Sequence, residues 1–106
     1  MPTGLLGQSA LAATTNTTVY TVPATTFTVF SVNVLNRGTT AVAIRMALAA
    51  AATPTNAEYI EFDVQVGANG VLERTGLMMD AGKRLVVWAS NANVSVNAFG
   101  IETSTV

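Results

Sequence analysis

The chain reads as all-β: a single domain folded as an antiparallel β-sandwich or jelly-roll of about eight strands. Three observations predict this. Hydrophobic periodicity is close to two along most of the sequence, turn residues recur at short intervals, and no unit of a solenoid's length repeats. With 106 residues, one domain can bury about two-thirds of its unfolded surface.

Strands are expected near residues 8–12, 17–22, 26–36, 41–48, 58–66, 71–78, 83–90 and 93–102. Residues 1–8 read as an N-terminal arm able to drape over an adjacent subunit through Leu5 and Leu6, which leaves 9–106 as the sandwich domain. The start mimics a secretion signal, but it lacks a basic segment and Gly7-Gln8-Ser9 interrupts its apolar part, so the arm is expected to stay on the protein.

Segment 26–36 is apolar on both parities, with Phe27 and Val29 on one and Phe30, Val32 and Val34 on the other. Such a strand is expected to be covered on both sides, by a second layer or by a neighbouring subunit. In 41–48 the large apolar residues Val42, Ile44, Met46 and Leu48 take the even positions, with Ala and Arg45 on the odd ones. The run Ala49-Ala50-Ala51-Ala52 prefers helix intrinsically, yet the alternation already established from Val42 favours a strand leading into a crossover.

In 58–66, Ile60, Phe62, Val64 and Val66 point one way, while Tyr59, Glu61, Asp63 and Gln65 point the other. Leu85 and Val87 oppose Val86 and Trp88 in 83–90, again a strand covered on both faces, with Trp88 assigned to the core. In 93–102 the apolar parity switches near Asn97, which a β-bulge would explain. Asn36-Arg37-Gly38, Gly67-Ala68-Asn69-Gly70, Asp80-Ala81-Gly82 and Ser90-Asn91-Ala92-Asn93 supply turns, the last two read as hairpins.

Charge narrows the function classes. Only 10% of residues are charged, against about 25% in an average soluble domain. The basic residues Arg37, Arg45, Arg74, Lys83 and Arg84 form no stripe that could neutralise phosphates, so no nucleic-acid partner is expected. No apolar run approaches the ~20 residues that cross a bilayer as a helix, so no membrane partner is expected either. A surface so poor in charge argues for cover by other subunits.

Catalytic chemistry finds little to work with. Cysteine and histidine are both absent, so there is no thiolate, no soft metal site and no ordinary proton shuttle near neutral pH. Gly76 to Trp88 resembles a phosphate loop, but five residues separate Gly76 from Gly82 where four are needed, Arg84 replaces the hydroxyl, and a strand follows. Glu73 beside Arg74 fits a cross-strand ion pair, and Glu61 with Asp63 fits a solvated strand face better than a calcium or glycosidase site. Stacking of Trp88 or Tyr59 on a sugar is the remaining small-ligand reading. No catalytic, cofactor-binding or metal-binding residue is assigned, and no cofactor is expected.

Four stretches carry a resemblance. They are Asn16-Thr17-Thr18-Val19-Tyr20-Thr21-Val22-Pro23-Ala24, Val32-Asn33-Val34-Leu35-Asn36-Arg37-Gly38, Ala57-Glu58-Tyr59-Ile60-Glu61, and Ala68-Asn69-Gly70-Val71-Leu72-Glu73-Arg74-Thr75-Gly76. Together they resemble small virion structural proteins of tailed bacteriophages, over about residues 9–102. The resemblance implies a β-sandwich or jelly-roll module, not an enzyme, that decorates or cements a capsid, or else belongs to a tail, baseplate or fibre, where it would trimerise or bind a host glycan. It further implies a homo-oligomer, trimer or dimer, partnered with the major capsid protein or other virion proteins and located in a virion assembled in the host cytoplasm.

Overall fold

The computed structural model describes residues 3–106 and contains eight strands. They are β1 (Thr3–Ala10), β2 (Thr17–Thr21), β3 (Thr26–Asn36), β4 (Val42–Ala49), β5 (Tyr59–Val66), β6 (Val71–Met79), β7 (Arg84–Ala89) and β8 (Val94–Ser104), with one 3₁₀ turn at Asn56–Glu58. Two four-stranded antiparallel sheets form, in the orders β1-β8-β3-β6 and β2-β7-β4-β5. Only β4 and β5 are sequential partners within a sheet; every other connection crosses to the opposite sheet. That winding is the eight-stranded jelly roll.

The inner faces interdigitate as alternation requires. Phe30, Val32, Val34, Val94, Val96 and Ala98 of one sheet meet Ile44, Met46, Leu85, Val87 and Ala89 of the other, all buried. Each large side chain among them contributes about 1.5–3 kcal/mol by leaving water. Asn36, fully buried, ties one end of the sandwich. Its Nδ2 donates to the carbonyls of Thr40 at 2.8 Å and Val66 at 3.1 Å, while Oδ1 accepts from the Gly38 amide at 2.9 Å.

Several sequence expectations change. Residues 3–8 are not a free arm: they belong to β1, which pairs with β8 along the sheet edge, and residues 1–2 lie outside the described chain. The turns at 80–82 and 90–93 are tight, and Gly82 has φ 83°, but they carry the chain between sheets and close no hairpin. The parity switch in β8 involves no bulge on β8, whose register with β3 runs unbroken from Ser104 to Val94. Phe99 and Ile101 instead project from the outer face, while Glu102 takes the inner one. The alanine run follows expectation and does not become helical: β4 ends at Ala49 and the chain bends, held by the Glu58 carboxylate, which accepts the Ala50 amide at 3.0 Å and the Thr55 amide at 2.8 Å.

Register breaks occur only where an edge strand pairs inward. They lie at Leu5/Gly7 in β1, Thr18/Tyr20 in β2, opposite Phe30/Val32 in β6, and twice along β5. The central pairs β3–β8 and β4–β7 have none.

Candidate functional site

The most developed side-chain cluster lies on the outer face of β2-β7-β4-β5. Arg45 sits at an outward position of β4, flanked by Trp88 on β7 and by the bulged part of β5. Ile44 pairs with Val64 and Met46 with Glu61, so Phe62 and Asp63 together oppose Arg45. Asp63 adopts φ 55°, a left-handed conformation that Asp tolerates better than most residues. The extra residue turns Phe62 outward, where it is 55% exposed.

The guanidinium of Arg45 then lies between two rings, 4.3 Å from the Phe62 centroid and 4.1 Å from that of Trp88. Its Nε donates to Asp63 Oδ1 at 2.6 Å. That hydrogen bond holds the arginine proton more tightly still than usual. Tyr59 meets Phe62 edge to face at 5.1 Å, a favourable quadrupolar arrangement. Asn56, Tyr59 and Phe62 line a shallow cleft of about 380 Å³ beside the stack.

These contacts correct three expectations. Trp88 is not core; it belongs to the outer face, half-buried under Arg45. Phe62 leaves the face of Ile60 and Val64. Glu61 and Asp63 do not share a carboxylate face: Asp63 goes to Arg45, whereas Glu61 Oε2 accepts from Arg74 Nη1 at 2.7 Å. Arg74 lies on β6, so this second pair links the two sheets along their open side. Glu73 stands exposed opposite Asn33 and does not pair with its neighbour Arg74. Among the described residues, no group of three or more Asp, Glu, His or Cys converges as a metal cage.

Alternation could not reveal the Arg45 stack, because the bulge at Asp63 resets the parity of β5 within one residue. One sign was available: Arg84 shares its parity with Val86 and Trp88, which marks that side of β7 as outward.

The outer face of β1-β8-β3-β6 has a different character. Leu5, Val29, Met78, Phe99 and Ile101 are all exposed there, between 41% and 62%. Ile101 pairs with Val29, Val29 with Met78, and Leu5 with Phe99, so the five form one patch. The next row toward the other end is polar: Gln8, Asn97, Asn33 and Glu73, with Gln8 Nε2 donating to Asn97 Oδ1 at 2.7 Å. No protein-family model matches the chain, and no curated protein matches it.

Proposed function

We propose that the protein is a structural component of a bacteriophage particle, a decoration or cement protein that docks on the assembled head. The observation that carries this reading is that both broad faces of the sandwich expose large apolar or aromatic side chains. One presents a patch of five large apolar side chains, with Val71 exposed further along the same face, and the other an Arg45–Trp88–Phe62 stack. Exposed apolar patches of this kind mark interaction surfaces, and Trp, Tyr and Arg are the side chains that dominate binding energy at interfaces. Jelly rolls are frequent among capsid proteins, and the sequence resemblance points the same way. Such a protein acts by mass action: binding only the assembled shell, it stabilises that state.

Quantitative mass spectrometry of purified particles tests the reading. A head decoration protein is present in hundreds of copies, and heads stripped of it lose resistance to internal pressure until the protein is added back. Absence from particles, with no binding to heads, overturns it.

A second reading, a tail, baseplate or fibre module that binds host glycan, is favoured by the cleft at Asn56, Tyr59 and Phe62. An exposed ring edge-on to a tyrosine, beside an amide, suits a pyranose. Low copy number together with glycan-array binding lost in Phe62→Ala would support it over the first.

A further inference from the structure

We infer that the outer face of β1-β8-β3-β6 is a homodimer interface, in which a second copy packs face to face about a two-fold axis running along the strands between β8 and β3. The inference stands with or without a virion assignment, and the isolated protein suffices to test it.

Edge-to-edge association is the usual alternative for sheet proteins. Here all four edge strands, β1, β6, β2 and β5, contain a register break. Bulges twist an edge away from the flat ladder that an added strand needs. Association is therefore directed to the faces.

The face has the size a dimer requires. Between Thr103 and Ser95, β8 places five residues outward, and four strands lie side by side. At about 3.4 Å per residue and about 4.8 Å between strands, this is a projected area of roughly 500 Å². Two such faces in contact bury on the order of 1,000 Å² or more, the lower bound for a specific interface.

The pattern of side chains selects a second copy over a foreign partner. Among the described residues, the strands of this face turn a single ionisable group outward, Glu73, which is little charge with which to complement a charged surface. Under the stated two-fold, each row meets its own reversed copy: β8 lies over the partner's β3, and β1 over its β6. The large Phe99 then faces the small Ser31, and Leu5 faces the bulged pair Thr75–Gly76. Ile101 faces Val29, and Asn97 faces Asn33. Glu73 comes opposite the amide of Gln8, so the one charge meets a donor instead of its own like. Sheets stack about 10 Å apart with strands within about 30°, which keeps this correspondence closest at the central strands.

Sedimentation analysis of the purified chain tests the inference. Wild type is expected at twice the 11.0 kDa chain mass at micromolar concentration. Ile101→Lys, which sets two ammonium groups near the axis, is expected to weaken dimerisation at least tenfold with circular dichroism unchanged, while Phe62→Ser on the opposite face leaves it intact. Because the chain has no cysteine, Asn97→Cys with a short bismaleimide should join two chains, and Gln65→Cys should not. A monomer at all concentrations, a trimer, a dimer that survives Ile101→Lys, or crosslinking through Gln65→Cys alone would overturn the inference.

Discussion

The phenol of Tyr20 donates to the carboxylate of Glu102 inside the sandwich, bringing together residues 82 positions apart in sequence. Tyr20 Oη also bonds Thr28 Oγ1 at 2.8 Å, and Glu102 Oε1 is buried without a partner. The network sits on the inner face of the end of the sheet whose outer face presents Ile101 and Val29. Tyr20→Phe removes the carboxylate's one donor and is expected to cost about 1.5–3 kcal/mol in urea denaturation. Glu102→Gln retains an acceptor and removes a buried charge, so it is expected to cost less.

The same network has a pH signature. Burial first, then the hydrogen bond to Glu102, push the Tyr20 phenol from about 10 up to about 12; the hydrogen bond with Thr28 opposes them, and the charge of Glu102 adds a smaller upward push. A phenol that ionises later in the folded state than in the unfolded chain favours folding fully below pH 10, and that contribution is lost as pH rises toward 12. Wild type should lose stability across this interval more steeply than Tyr20→Phe, as followed by denaturant midpoints.

Glu58 behaves in the opposite sense. Its carboxylate is held below its ordinary value by the backbone hydrogen bonds from Thr55 first and Ala50 second. A depressed carboxylate stabilises above its unfolded range and ceases to do so as pH falls through its folded value. Amide protection at Ala50 and Thr55 should fall on acidification below about pH 4.5, the ordinary value, and in Glu58→Gln at neutral pH.

Gly100 is predicted to be intolerant. A Cβ there would collide with the backbone of Val29 and Phe30 on the neighbouring strand. Gly100→Ala is expected to cost about 1–3 kcal/mol or more, as overpacking does, whereas Gly67→Ala, with open space around it, should be nearly silent in thermal unfolding.

Trp88 is the only tryptophan, so its fluorescence reports the Arg45 stack directly. Arg45→Ala uncovers the indole and should shift emission to the red while leaving the fold intact. Arg45→Lys, which lacks the planar guanidinium that stacks on rings, should give most of the same shift.

Much of the fold was legible because turn chemistry punctuates it: Asn36-Arg37-Gly38 and Gly67 to Gly70 bracket strands whose bounds match expectation within a residue or two. Two things were not. Gly4 and Gly7 interrupt the alternation that would have announced β1, and a strand edge needs no alternation when β8 supplies its partner. The other failure concerned faces. Parity places Phe62 inward, and a bulge would place Phe99 and Ile101 there, but all three are outward, because burial is a one-way rule and a surface can be apolar. The Arg45 stack depended on the Asp63 bulge, which leaves no periodic trace.

The broken edges carry a consequence for refolding. A chain this hydrophobic, diluted from denaturant at high concentration, would ordinarily risk templated fibril growth through its longest ladders. The eleven-residue strands β3 and β8 are each flanked on both sides within the sheet, so once closed the fold offers no straight ladder to a passing molecule. Thioflavin signal should stay flat during refolding of the wild type, and should rise first in variants that straighten β1 or β6.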